Sequence, residues 1–414
     1  MPVLRPSGSD FTSFVKAAAQ YVPPGRSAKA SKSGGGMMVA PAGLGAVAKA
    51  SIVAIRASPT NTTLSIPSII AVVAAVTNTV VTYLAVVTTY ISSGFFGTNG
   101  IQFLAGGRVA VFDYNLASIY TFAYPGTTAV FLAGTPGQTY ADGTGSGARF
   151  KIPLSIHALP NGNLITTEQA AIRHVTYPGA VVTTIAGSAT SGTQTNGTGA
   201  AAVFGYPNSV TRLPDGNLMV CDAGGSRHSL RLITISDYAG SGTVTLFAGG
   251  NVTAASIDGT TTGASFSGPW GIATLPNGNL IVNDGPTIRY VTYPGGVVTT
   301  IAGSGTPGFA DGTGAAASFN AEYAECAVLP DGTIVVPDRA NQRIRLVRTS
   351  TYALNSGVVT TIAGNNTAAN QDGTGTGASF FYPSRIAVNS AGNVILTTSG
   401  ANNGLIRQIS LTTT

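Results

Sequence analysis

One short phrase, written five times, constrains the fold of this chain more than any other feature. Its apolar half reads VVTTIAG, or close variants, and recurs at intervals of 53 to 62 residues with its last glycine at Gly134, Gly187, Gly249, Gly303 and Gly364. A polar half follows each time, in forms such as ADGTGSGARF and QDGTGTGASF. Self-similarity at a steady interval is typical of stacked supersecondary units. The sequence therefore predicts a repeat protein.

Between the copies, short runs rich in Ile, Val and Thr alternate with PNG, PDG and YPG turns. β-branched residues favour strands, and Asn-Gly or Asp-Gly supplies the positive φ of tight hairpins. Each unit is thus predicted to be a four-stranded antiparallel meander. In one unit the predicted strands are residues 270–275, 279–284, 287–292 and 297–303.

The sixth unit, residues 384–410, ends without the apolar phrase. Its sheet would present an edge of unpaired N–H and C=O groups, which requires a partner. The missing phrase stands at the other end of the repeats, where AVVTTYISSG at residues 85–94 matches GVVTTIAGSG at residues 296–305. We therefore predict an all-β fold, a six-bladed β-propeller of four-stranded antiparallel blades whose last blade is closed by an N-terminal strand.

The units resemble NHL repeats, in which V-x-T-x-A-G is followed by D-G, by G-I-A-V-x-x-x-G-N-x-x-V-x-D and by R-I-R. The resemblance covers residues 85–410, about four fifths of the chain. It implies the propeller fold and leaves function open, because such propellers serve as enzymes, RNA binders and protein-binding platforms.

Catalysis is disfavoured by the residues expected around the central channel. The family's amidating lyases hold zinc with channel histidines, and similar lactonases hold a divalent cation with carboxylates and amides. Here His157, His174 and His228 fall in different structural positions, and Glu325 is the one acid of the predicted innermost strands. We expect no catalytic residue, no cofactor and no metal site.

The formal charge of +6 is unevenly placed. Residues 1–60 hold seven bases and one acid, whereas the rest of the chain holds fourteen of each. A neutral ring does not provide the basic surface that nucleic-acid binding needs. The domains are accordingly predicted as a basic N-terminal arm at residues 1–60, an apolar β-rich connector at 61–84 and the propeller at 85–414.

Within the arm, residues 10–22 are predicted to form a short amphipathic helix that ends at Pro-Pro, and residues 23–40 a flexible linker. The helix is a candidate docking surface for other protein subunits; an unstructured tail, or contact with nucleic acid or an anionic surface, are the alternatives. The candidate docking residues are Phe11, Phe14, Val15, Lys16 and Tyr21.

Residues 66–91 carry no charge and are long enough to span a membrane. Their Val and Thr content instead favours two strands, residues 69–76 and 80–91. The first thirty residues have no apolar core of a signal peptide.

Residues 5–22 also resemble the start of structural proteins of large DNA viruses of algae and protists, which implies a location in a virion or a cytoplasmic assembly.

One polar series repeats with the units, an acid at the end of five of the six second strands, with Thr398 in its place in the last unit, and an arginine on five of the third strands. A ring of acids would suit cations, but identical residues in every unit favour a brace between strands over catalysis, which needs different residues in different roles. The DGTG aspartates are expected to form Asx turns, since one carboxylate per loop falls short of a calcium site. The predicted brace residues are Asp222, Arg231, Asp284, Arg289, Asp338 and Arg345.

Crossovers between blades and the loops between second and third strands share one face of a meander propeller. Aromatic and basic residues in these loops differ from unit to unit, so this face is the candidate recognition surface; ordinary packing of aromatic rings is the alternative. The candidate residues are Tyr140, Arg149, Lys151, Tyr206, Trp270, Phe309, Tyr323 and Tyr382.

These observations favour a non-enzymatic structural or interaction protein, a propeller scaffold anchored by its arm that presents a loop face to protein or glycan, in a virion or capsid-associated setting. The alternative is a metal-dependent enzyme of lactonase or amidating-lyase type. An RNA-binding role is disfavoured by the neutral ring.

Overall fold

The computed structural model describes residues 83–91, 97–224, 227–250, 254–399 and 404–413. Within these ranges the chain forms six successive antiparallel sheets, so the predicted six-bladed β-propeller is confirmed. Apart from residues 83–84 of the connector, the arm, its helix, its docking residues, the linker and the connector, including the strand expected at 69–76, lie outside the described residues.

The sheets are numbered here as blades 1 to 6, and four strands of each run outward from the centre. Blade 1 contains β2 (Thr98–Leu104), β3 (Arg108–Asp113), β4 (Ser118–Ala123) and β5 (Val130–Gly134). Blade 2 contains β6 (Gly143–Thr144), β7 (Ser155–Ala158), β8 (Leu164–Thr167), β9 (Ala171–Val175) and β10 (Val181–Gly187). Blade 3 contains β11 (Gly197–Thr198), β12 (Pro207–Arg212), β13 (Leu218–Asp222), β14 (Ser229–Thr234) and β15 (Thr243–Gly249).

The second half of the ring repeats this order. Blade 4 contains β16 (Gly259–Thr260), β17 (Gly271–Thr274), β18 (Leu280–Asp284), β19 (Thr287–Val291) and β20 (Val297–Ala302). Blade 5 contains β21 (Gly312–Thr313), β22 (Ala327–Val328), β23 (Ile334–Asp338), β24 (Arg343–Arg348) and β25 (Val358–Ala363). Blade 6 contains β26 (Gly373–Thr374), β27 (Ile386–Val388), β28 (Val394–Ser399), β29 (Leu405–Thr413) and the N-terminal strand β1 (Tyr83–Ile91).

The innermost strands β2, β7, β12, β17, β22 and β27 contact one another in this order, and β27 contacts β2. The ring is therefore closed around a central channel. Crossovers and the loops between second and third strands lie on one face, called the loop face below. The connections between first and second strands, and between third and fourth strands, lie on the opposite turn face.

Five blades carry one strand more than the sequence predicts. The Gly-Thr of each polar phrase forms a two-residue strand on the outer edge of the blade, followed by a 3₁₀ turn. These turns are Gly145–Gly147, Gly199–Ala201, Thr261–Gly263, Gly314–Ala316 and Gly375–Gly377. A separate 3₁₀ turn, Arg339–Asn341, follows β23 in blade 5. No copy of the polar phrase precedes blade 1 in the sequence, and within the described part of the chain its sheet has four strands.

β1 closes the ring as predicted, because it pairs antiparallel with β29 along its full length, from Tyr83 opposite Thr413 to Ile91 opposite Ile406. Its register shifts between Thr89 and Ile91. The fourth strand of blade 2, β10, shifts at the matching point of its TTIAG phrase, between Thr184 and Ala186. β1 is thus the structural equivalent of the fourth strands of the other blades.

The core lies between blades. Each polar phrase ends in a phenylalanine that is completely buried, and Phe204 packs with residues of blades 2 and 3 such as Ile185 and Val220. The last glycine of the apolar phrase is constrained by its backbone conformation and by the space around it. At Gly187, φ is +87° and a Cβ would collide with the carbonyl oxygen of Ala170. The phrase therefore repeats because each blade needs the same outer strand, crossover and aromatic wedge.

Among the described residues, no helix is long and apolar enough to pass through a bilayer. Residues 83–91, the end of the uncharged stretch, form β1.

We predict that a charge buried in β1 will open the ring. Val87 is fully buried, whereas its neighbour Val86 is 38% exposed. Because an unpaired buried carboxylate is strongly unfavourable, Val87→Asp should lower the free energy of unfolding by about 3 kcal/mol or more. Val86→Asp should cost less than about 1 kcal/mol. Urea denaturation measures both, and equal effects of the two variants would contradict closure by β1.

Candidate functional site

The predicted brace residues of blades 3, 4 and 5 each include one buried arginine, and blades 2 and 6 have a buried arginine at the equivalent position. In blade 4, Nη1 of Arg289 donates to Oδ2 of Asp284 at 2.9 Å and to the carbonyl of Ser265 at 3.1 Å. Nη2 of the same arginine donates to Oδ1 of Asp258 at 2.9 Å. Asp258 is the aspartate of the DGTT phrase. One guanidinium thus joins the second strand, the third strand and the crossover.

The same arrangement recurs in the neighbouring blades. In blade 5, Arg345 lies 2.6 Å from both Asp338 and Asp311. In blade 3, Arg231 lies 3.4 Å from Asp222 and 3.0 Å from Oδ1 of Asn196, which replaces the phrase aspartate. Arg173 of blade 2 pairs with Glu168 and Asp142, and Arg407 of blade 6 pairs with Asp372.

The phrase aspartates were expected to form Asx turns, but their carboxylates bind elsewhere. Asp142 accepts from Arg173, and it also accepts from the backbone N–H and hydroxyl of Thr184, at 3.1 and 2.9 Å. Thr184 belongs to β10, the fourth strand of blade 2. The repeated Asp-Gly-Thr therefore ties the crossover to the buried arginine and to the edge of the blade.

Burial governs the titration of the brace carboxyls. It raises the pKa of Glu168 from 4.5 to about 7, while Arg173 lowers it and Asp142 raises it again. It raises the pKa of Asp222 from 3.8 to about 6, while hydrogen bonds and Arg231 lower it. Glu168 and Asp142 share one arginine, so a second negative charge there is poorly compensated.

The central channel encloses a cavity of about 210 Å³ lined by residues of all six innermost strands. Burial, and then Arg212, lower the pKa of His157 to about 4, so its neutral ring accepts a hydrogen bond through Nε2 from the Arg212 backbone at 3.3 Å. Glu325 is 6% exposed and its carboxylate lies 3.9 Å from the guanidinium of Arg385. Burial raises the pKa of Glu325, and Arg385 and Ser155 of the opposite blade lower it.

In the described ranges, no three His, Cys, Asp or Glu side chains are grouped so that they could hold a metal ion. The three histidines stay apart: His157 lies in the channel wall, His174 hydrogen-bonds Asn163, and His228 contacts the carbonyl of Phe266.

A second cluster lies on the loop face, where each crossover reaches its innermost strand. The rings of Trp270 and Tyr323 have centroids 4.1 Å apart. The guanidinium carbon of Arg339 lies 5.6 Å from the ring of Tyr323 and 4.9 Å from that of Tyr382. Burial raises the pKa of Tyr206, which Tyr323 raises further. These five residues, from blades 3 to 6, are called the crown below.

Backbone geometry positions the crown. Tyr323 and Tyr382 have φ of +62° and +51°, values that bulky residues rarely adopt. The backbone N–H of Tyr382 is fixed by Oε1 of Gln342 at 2.6 Å. Tyr323 is 50% exposed. Strained backbone that presents an exposed ring is a feature of binding sites more than of packing.

The other predicted face residues have separate contacts. The ring of Tyr140 covers the brace arginine Arg173 at 4.5 Å, and Lys151 donates to the carbonyl of Ala189 at 3.0 Å. Arg149 is exposed beside its blade. Phe309 is 46% exposed and stacks with Arg343 at 3.8 Å. Four of the eight predicted face residues, Tyr206, Trp270, Tyr323 and Tyr382, belong to the crown.

Two arginines of this region were not predicted. Arg339 opens the 3₁₀ turn after β23, and Arg385 precedes β27 at a position where other units have Gly100, Ser155 or Ser209. The sequence feature that could have identified these two arginines is that they differ from the residues at the same position in other units. This feature is a weak indication of function, because loop residues vary for many reasons.

Comparison with known proteins supports the fold. No family model matches the chain, and no curated protein matches it. A protein of unknown function from Bacteroides thetaiotaomicron has a TM-score of 0.58 at 16% identity, over 80% of this chain and 77% of its own. An auxiliary nutrient binding protein from the same organism has a TM-score of 0.56 at 14% identity, over 80% and 77%.

A gluconolactonase from Xanthomonas campestris has a TM-score of 0.50 at 12% identity, over 79% of this chain and 90% of its own. At these identities the likeness shows a shared propeller fold alone.

We predict an unusual pH dependence from Glu168. When folding raises the pKa of a carboxyl, the protonated carboxyl stabilises the folded protein at pH values below its pKa in the unfolded chain. This contribution is lost as the pH rises through its pKa in the folded protein. With a pKa of about 7 in the folded protein, Glu168 should raise the free energy of unfolding by about 1 kcal/mol when the pH is lowered from 8 to 6. Glu168→Gln should reduce the gain by this amount in urea denaturation.

Glu322→Gln, which removes an exposed carboxyl, is the control with which Glu168→Gln is compared. An unchanged dependence in Glu168→Gln would show that this carboxyl titrates near its ordinary value.

Proposed function

We propose that this protein is a non-enzymatic recognition propeller that is anchored by its N-terminal arm and binds protein or glycan through the crown. The observation that carries the proposal is the convergence of Trp270, Tyr323 and Tyr382 with Arg339 on the loop face, although they come from blades 4, 5 and 6. Trp, Tyr and Arg are the residue types that dominate binding energy at interfaces.

The contrast with the brace supports this proposal. Brace residues repeat in type and position, as a framework requires, and their arginines are fully buried and paired. Crown residues repeat only in part: Tyr206 and Tyr382 hold equivalent positions, whereas Trp270 and Tyr323 do not. Tyr323 is 50% exposed. Side chains from several blades that converge on one surface suit the recognition of a shaped ligand. The nutrient-binding neighbour has the same fold and is compatible with this role.

A metal-dependent lactonase or lyase is the competing function, and the channel residues Glu325 and His157 are where it would act. The buried carboxylate beside Arg385 is the observation in its favour. Stoichiometric zinc or calcium in the purified protein, lost on Glu325→Gln substitution, would replace the recognition proposal with this one.

We predict that the crown is required for binding. Trp270→Ala and Tyr323→Ala each remove an aromatic surface and should weaken binding about 10-fold or more, since interface anchors contribute about 2 kcal/mol or more. Glycan and peptide arrays probed with the full chain measure this. Arg227→Met is the control, because Arg227 is exposed in the equivalent loop of blade 3. Hits that both alanine variants retain would contradict the proposal.

The arm is predicted to anchor the protein in its assembly, with a virion as the proposed setting. Deletion of residues 1–60 should release the protein from particles, as should Phe11→Ser with Phe14→Ser in the full chain, because each removes the apolar docking surface. Lys29→Ser with Lys32→Ser is the matched control and should leave incorporation unchanged. Co-purification with particles is the measurement, and normal incorporation of the deletion variant would exclude an anchoring arm.

A further inference from the structure

Arg339 differs from the brace arginines in how its charge is used. Its side chain makes no hydrogen bond and no ion pair with any described residue, whereas each brace arginine has a carboxylate partner. Its guanidinium is held instead between the rings of Tyr323 and Tyr382. A guanidinium has five N–H donors in a planar fork. Because these donors have no partner among the described residues, they are available to a ligand.

Arg385 adds a second positive group behind the crown. It is 7% exposed, and its Nε and Nη1 have no hydrogen-bond partner among the described residues. Its nearest carboxylate, on Glu325, lies at 3.9 Å, which is too long for a hydrogen bond. The charge at the centre of the loop face is therefore only partly compensated by the protein.

These features exclude one class of ligand and favour another. An aromatic cage for a cation would not contain Arg339 at its centre, since like charges repel. A guanidinium with open donors matches a carboxylate, which it binds with two parallel hydrogen bonds. The exposed ring of Tyr323 beside Trp270 offers a flat apolar surface. The C–H face of a sugar ring packs on such a surface while its hydroxyls stay hydrated.

Resting on the proposed function of the crown, we propose that its ligand is an acidic saccharide. A sugar carboxylate pairs with the guanidinium of Arg339, and the adjoining ring packs against Tyr323 and Trp270. The neutral remainder of the propeller, with fourteen bases and fourteen acids after residue 60, supplies no general attraction for polyanions. Within the propeller, selectivity therefore depends on this one site.

Oligogalacturonate, a neutral galactan oligosaccharide and a polyglutamate peptide test the proposal by titration calorimetry on the full chain. The oligogalacturonate should bind, and the other two should bind at least 10-fold more weakly. Arg339→Met should weaken oligogalacturonate binding about 10- to 100-fold, the range for a lost charged hydrogen-bond pair. Arg339→Lys should recover part of the loss, and Arg227→Met should match the wild type.

Thermal unfolding of each variant shows that the ring is intact before binding is compared. Equal binding of galactan, equal binding of polyglutamate, no saccharide binding, or no effect of Arg339→Met would each overturn the acidic-saccharide assignment. Trp270→Ala separates this failure from failure of the proposed function. If Arg339→Met has no effect while Trp270→Ala abolishes binding, the crown is a binding site for another ligand class. If neither variant has an effect, the crown is not the site.

Discussion

The backbone ladder between β1 and β29 is the interaction on which the whole ring depends. It joins the first described strand to the last, and its register runs from Tyr83 opposite Thr413 to Ile91 opposite Ile406. Without it, blade 6 would expose a bare edge and the wedge between blades 5 and 6 would lose Val87. Loop-closure entropy grows slowly with length, so joining distant segments costs little more than joining near ones. Once closed, each blade is packed on both sides.

The brace explains why the phrase repeats in full. Removing one partner of a buried ion pair leaves an uncompensated charge, so a blade that lacks the arginine or an acid needs other hydrogen-bonding groups in its place. Blade 1 is one such case. It has no preceding DGTG phrase, Tyr120 stands where other blades have arginine, and Asp113 accepts hydrogen bonds from the N–H groups of Asn115 and Leu116. In blade 6, Thr398 replaces the second-strand acid, and Oδ1 of Asn370 takes its place beside Arg407 at 3.2 Å.

The fold was largely predictable from sequence because several copies of the same unit support one assignment of strands and turns, even where a single copy would be ambiguous. The fourth strand of blade 4, expected at residues 297–303, is Val297–Ala302. The innermost strand of blade 5, expected at 325–329, is only Ala327–Val328. The fifth strands were missed, since two residues carry no periodicity. The crown was predicted in part, since aromatic loop residues can be read from sequence but their convergence depends on left-handed backbone that sequence does not reveal.

Separating framework from recognition has a physical consequence for the crown. Because the phrase is present in the crossovers into blades 2 to 6, the few residues between its buried phenylalanine and the innermost strand vary without disturbing the ring. Those residues lie nearest the axis, where neighbouring blades are closest, so one side chain per blade suffices to build a continuous surface. The brace gives each of its arginines a carboxylate partner. Arg339 instead lies against two aromatic rings and has no carboxylate within ion-pair distance among the described residues, although Glu322 acts on its charge from farther away. Its guanidinium donors are therefore available to an anion from outside.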